Sequence, residues 1–195
     1  NAYSRFAVNA LLDEGMRLAL MTERTPASFL EAFGDLRLRL PVIVMDGAAL
    51  YDIRENSFRK SYVISAAHAG VLEKLFKERE VHVFVNVILE DLLLIYYGNL
   101  QNEAERTIYE RLRKSPYRNY LHKSRPEGHP VVYFMTVDKT EKIRALHEEL
   151  CRHELSAHLK MRVRPAEDFA GYAYLRIYNH NASVGNMLEY LQKET

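Results

Sequence analysis

The sequence predicts an α/β protein in two parts: a partial parallel sheet, and a duplicated strand–helix–hairpin unit that forms an antiparallel sheet. Three observations carry this prediction. Helical and strand patterns alternate with short connections up to about residue 53. From residue 56 the order changes to strand, helix, hairpin, and it occurs twice, each time followed by a further helix. A strand–turn–helix pattern then returns over 174–191.

The elements follow in order. Ser4 is placed to cap a first helix with the apolar stripe Val8, Leu11 and Leu12, and Gly15 to end it. An apolar strand is expected over 18–21. Thr25 caps a second helix, Pro26 suits its first position because no backbone N–H is needed there, and Gly34 closes it behind Phe29, Leu30 and Phe33. Residues 42–45 make another all-apolar strand with an Asp46-Gly47 turn at its tip. Two parallel strands make a poor sheet alone, so further strands are expected to complete this one. A strand over 58–64 leads to Ser65, the cap of a helix bearing Val71, Leu72, Leu75 and Phe76. Residues 81–89 alternate, turn at Glu90-Asp91 and return over 92–97 as an antiparallel hairpin. Asn102 and Glu105 form a capping box before the helix of Ile108 and Leu112. After a polar loop over 115–130 the pattern repeats: a strand over 131–137, a helix with Ile143, Leu146 and Leu150, and a hairpin from 158–163 and 172–178. The helices are expected on one face of this sheet.

Composition bounds the function classes. At 195 residues, with 48% hydrophobic and 27% charged residues, the chain has ample material for a core. A net charge of +1 excludes a general polyanion binder. One cysteine, Cys151, excludes an internal disulfide framework and fits a reducing compartment. No apolar run reaches membrane-spanning length and no basic-then-apolar leader is present, so no membrane partner and a cytoplasmic location are expected. The chain opens on Asn1-Ala2 rather than Met, as an excised piece of a longer protein would.

Residue chemistry points first to Thr22, Arg24, Thr25 and Pro26. A hydroxyl, a cation and the free amides of a helix start suit an anionic group such as a phosphate. Many parallel strands end in Thr or Ser before a helix, and on residue types alone that plain reading prevails. His153 and His158 are one residue too far apart for a zincin pair, and His147 with Cys151 offers two metal ligands, which do not make a site. Ser183 reads as a helix cap. The segment 111–125 mixes cations with Tyr117 and Tyr120, a pattern that suits single-stranded nucleic acid but equally a solvated helix end; nucleic acid is not the favoured partner.

Leu20-Met-Thr22-Glu23-Arg24-Thr25-Pro26 resembles the Thr-Gly-Arg segment of Cof-type phosphatases in the haloacid dehalogenase-like (HAD) hydrolase superfamily. Met45-Asp46-Gly47-Ala48 resembles that group's Asn-Gly-Ala loop, and Ala182-Ser183-Val184-Gly185 its Ser-Lys-Gly turn. The resemblance implies a partial parallel, Rossmann-like HAD core contributed by both ends of the chain, over 3–53 and 175–195, with a complete cap domain over 54–174 inserted in it. It implies magnesium-dependent hydrolysis of a small phosphorylated metabolite, often a sugar phosphate, in intact members. Carried over residue by residue, the substrate-binding positions are Thr22, Arg24, Asp46, Gly47 and Ser183. Departures matter here. Glu23 replaces the Gly and sets a negative side chain where backbone should approach phosphate, and Asp46 replaces the Asn. Val184 stands where the phosphate-binding Lys is expected. The nucleophilic Asp is not found, since the residue two before Asp46 is Val44. No catalytic or metal-binding residue is therefore assigned, no cofactor is expected in this chain, and the chain is expected to be inactive. Two rival readings are a non-catalytic ligand-binding or protein-interaction module and nucleic-acid binding through 111–125. In the family the first core strand lies beside 18–21. An unpaired apolar edge there leads to the expectation of a homodimer, or of terminal helices covering it.

Overall fold

The structure, a computed structural model, describes residues 2–115 and 118–194. In chain order the helices and strands are α1 (Ala2–Asp13), α2 (Pro26–Phe33), β1 (Val42–Val44), β2 (Ala49–Asp52), β3 (Ser57–Ser61), α3 (Ala66–Glu78), β4 (Phe84–Leu89), β5 (Leu92–Tyr97), α4 (Glu103–Leu112), β6 (Asn119–His122), β7 (Val131–Lys139), α5 (Thr140–Arg152), β8 (Leu159–Pro165), β9 (Tyr172–Asn179) and α6 (Val184–Glu194). They divide into two compact units: the chain up to Ser61 together with that from Ala182 onward, and Tyr62–Asn181.

In the first unit, β1, β2 and β3 form an antiparallel sheet in that order. β1 and β2 are buried along their whole length, which is why Val-Ile-Val and Ala-Leu-Tyr show no polar alternation. The strand expected over 18–21 contracts to a single parallel bridge, Met21 to Ile43. The Thr22 amide donates to the Ile43 carbonyl and the Ile43 amide to the Leu20 carbonyl, both at 2.9 Å. The pairing is short because β1 itself has only three residues before the chain turns back as β2. Ser4 is not a cap, since α1 already runs from Ala2. α1 is instead held sideways: Arg5 donates to the Ala32 carbonyl at 2.7 Å, and Asn9 accepts the Arg37 amide at 2.9 Å. Thr25 caps α2 as expected, its hydroxyl accepting the Ser28 amide.

The second unit holds a six-stranded sheet in the order β6-β5-β4-β7-β9-β8. Both expected hairpins are present, β4 with β5 and β8 with β9. Glu90 and Asp91 turn the first with φ of 48° and 63°, the left-handed pair that a two-residue hairpin loop requires. Three expectations are corrected. The strand expected over 58–64 ends at Ser61 and pairs with β2, leaving Ile64 as an isolated bridge to Val131. The loop expected over 115–130 contains β6, which pairs parallel with β5 and makes the sheet mixed. Helices cover both faces: α3 and α5 set Leu72, Phe76, Ile143 and Leu150 on Phe134, while Ala104 and Ile108 of α4 meet Val137 and Met135. Phe134 and Met135 are successive strand residues, so they point to opposite faces.

Candidate functional site

Three segments distant in sequence meet in the first unit. The Met21–Ile43 bridge delivers Thr22 beside the end of β1. There the Thr22 carbonyl accepts the Asp46 amide at 3.2 Å, and the Arg24 carbonyl accepts the Met45 amide at 2.9 Å. The Thr22 hydroxyl accepts the Arg24 amide at 3.1 Å, which fixes its oxygen and leaves its own hydrogen to donate. Met45, Asp46 and Gly47 then run through φ of 51°, 61° and 86° in succession. This left-handed run presses Gly47 against the turn before α6, where a Cβ would stand 2.5 Å from the Val184 nitrogen. Ser183 caps α6 by accepting the Asn186 amide at 3.0 Å, as its position in the sequence suggested.

Thr22, Arg24, Asp46, Gly47 and Ser183 are thus gathered on one end of the small sheet. The assembly offers a hydroxyl donor, backbone amides in a left-handed turn and an exposed guanidinium residue, Arg24. The Met45 and Asp46 amides of that turn are already bonded to the Arg24 and Thr22 carbonyls, which leaves the Gly47 amide as the turn's donor. Val184 adds no charge, and Glu23 adds a negative one. Among the described residues no group of three His, Cys, Asp or Glu is placed to hold a metal ion. The carboxylates next to Thr22 in this loop pair are Glu23 and Asp46.

The same unit carries a buried carboxylate that sequence reading passed over. Asp52, at the end of β2, accepts from Arg59 at 3.1 Å and from the Arg54 amide at 3.0 Å. Burial pushes its carboxyl up, but the Arg59 hydrogen bond and the Arg54 and Glu55 amides outweigh that and hold it below the usual carboxylate range. It anchors β3 to β2.

In the basic segment 111–125, Arg111, Arg113 and Arg125 are engaged within the fold. Arg111 pairs with Asp168 at 2.6 Å and Arg113 with Glu110 at 2.8 Å. Arg125 is buried, gripping Glu73 through both carboxylate oxygens and donating to the His129 carbonyl at 2.8 Å. Tyr120 packs against Tyr97 and Tyr109, and burial pushes its phenol up to about 12. Tyr117 lies outside the described residues. His147 and Cys151 approach to 3.5 Å on the exposed side of α5 with no third ligand among the described residues, and His153 caps the short turn Glu154–His158, accepting the Leu155 amide at 3.2 Å. No described helix is long and apolar enough to cross a membrane.

A family model described as haloacid dehalogenase-like hydrolase matches residues 1–195. No curated protein matches the chain. Solved structures similar to it include a haloacid dehalogenase-like hydrolase from Bacteroides thetaiotaomicron, with 14% identity, a TM-score of 0.73, and coverage of 100% of this chain and 70% of that one. Another is a haloacid dehalogenase-like hydrolase from B. subtilis, with 16% identity, a TM-score of 0.70, and 100% and 72% coverage. A third is the HAD subclass IIB sugar phosphatase BT4131, with 12% identity, a TM-score of 0.65, and 100% and 68% coverage. These likenesses concern the fold. Matched over residues 1–195, the chain belongs to the haloacid dehalogenase-like hydrolase family.

Proposed function

We propose that this chain carries the phosphate-gripping part of a Cof-type phosphohydrolase that acts on a small phosphorylated metabolite such as a sugar phosphate. The observation that carries the reading is the meeting of Thr22, the Met45–Gly47 turn and Ser183 at one end of the small sheet. The Thr22 hydroxyl and the Gly47 amide donate to phosphate oxygens, and Arg24 supplies the positive charge that Val184 does not. The sugar phosphatase among the similar structures supports the substrate class. Residues 3–53 and 175–195 act as core and 54–174 as cap. Cys151, exposed and unpaired, suits a reducing compartment.

The 195 residues by themselves do not turn over a phosphomonoester. Asp46 at the tip of β1 has Val44, not a second Asp, two residues before it, and the phosphate lacks its lysine. The chain self-associates through the edge near Met21, a residue 65% exposed beside the single parallel bridge. The test is an assay of p-nitrophenyl phosphate with magnesium, run beside Thr22→Ala. No turnover above the variant is expected; robust turnover that depends on Thr22 overturns the inactivity.

A further inference from the structure

The C-terminal turn of α3, the α3–β4 connection, the end of β5 and the loop after β6 enclose a cleft of about 400 Å³ in the unit Tyr62–Asn181. The phosphate reading makes no use of it. We propose that this cleft binds a small amphiphilic anion, a carboxylate on an alkyl or aryl body, through Lys77 and Lys123.

Its lining is positive on balance. Among the described residues that line it, Glu73 is the one carboxylate. Arg125, whose side chain is 5% exposed, takes both oxygens of Glu73, Nε donating to Oε1 at 2.8 Å and Nη2 to Oε2 at 2.9 Å. An acid four residues before a helical lysine is its natural partner. Glu73 holds that place for Lys77, but Arg125 has already claimed it. Lys77 and Lys123 are both exposed, and neither has an ion-pair partner among the described residues. The Glu73–Arg125 pair cancels itself, so two accessible cations remain in excess. Such a lining attracts an anion and repels an amine.

The rest of the cleft is apolar, which sets the body of that anion. Val81, Val83 and Tyr97 are half-buried and present surface to it, and the buried Phe76, Val85 and Tyr96 complete the wall. Ser124, next to Lys123, adds a hydroxyl donor. A mostly apolar wall with a few polar groups is the usual make-up of a small-molecule site. A bare inorganic anion gains nothing from the wall, and an apolar molecule nothing from the lysines. A carboxylate on an apolar body uses both, burying its chain against the valines while the lysines donate to its oxygens.

The test is methyl NMR of the whole chain titrated with sodium hexanoate, with hexylammonium chloride as the reversed-charge control. Methyls of Val81, Val83 and Val85 are expected to shift saturably with hexanoate and not with hexylammonium. The double variant Lys77→Gln, Lys123→Gln keeps polar side chains but removes both charges. It is expected to weaken hexanoate binding about tenfold or more, the effect of losing hydrogen bonds from charged donors. Both positions are exposed, so the double variant keeps the fold. Absence of saturable shifts at these methyls, equal shifts with hexylammonium, or undiminished binding by the double variant overturns the proposal.

Discussion

Gly47 packs edge-on to the backbone of Ser183, so close that a Cβ at position 47 would lie 2.7 Å from the Ser183 carbonyl oxygen. The contact joins the end of β1 to the start of α6, and it exists only because residue 47 lacks a side chain and adopts φ of 86°. Gly47→Ala must therefore pay a left-handed conformation and a backbone collision together, about 3 kcal/mol of stability. Gly15→Ala is the control: its φ is 100°, but nothing lies within 4 Å of the added carbon, so it costs about 1 kcal/mol. Urea unfolding of both variants measures the difference.

Asp52 gives the first unit an acid-sensitive anchor. Its carboxyl is held below the ordinary value of 3.8, so its stabilisation is complete above that value and is lost as pH falls through the lower folded value. Asp52→Asn keeps the shape but removes the charged acceptor for Arg59. It is expected to cost about 2 kcal/mol at neutral pH and to flatten the acid limb of the stability profile. Chemical denaturation across pH 2 to about 7 checks both. An unchanged acid limb contradicts the anchor.

Nucleic acid finds few uncommitted cations in the segment 111–125, because Arg111, Arg113 and Arg125 are already paired with Asp168, Glu110 and Glu73. Fluorescence anisotropy with single-stranded DNA is expected to show no binding at physiological salt. Tight binding whose affinity falls steeply with salt contradicts this.

Light scattering reports on the edge near Met21. A dimer is expected, and Met21→Lys on that exposed edge is expected to shift it toward monomer. A wild-type monomer contradicts the proposed association.

Local signals in the sequence were reliable where the physics is local. The Thr25, Ser65 and Asn102/Glu105 caps are all formed, as are the Glu90-Asp91 hairpin and the apolar stripe of α5. What escaped depends on partners far along the chain. β2 is four buried residues without alternation, and β6 is a polar stretch made into a strand by the free edge of β5. The strand expected over 18–21 fails for the converse reason: its residues suit a strand, but β1 is too short to pair with them. No periodicity links Thr22, Asp46 and Ser183, so their convergence was legible only through the family resemblance.

The central claim is that Thr22, the Asp46-Gly47 turn and Ser183 together hold a phosphate group. It is tested most directly by ¹⁵N NMR of the chain titrated with inorganic phosphate. Saturable shifts are predicted at the amides of residues 22–24 and 45–47, and their loss in Thr22→Ala. Shifts that spread without saturation, or that leave these amides unmoved, contradict the account.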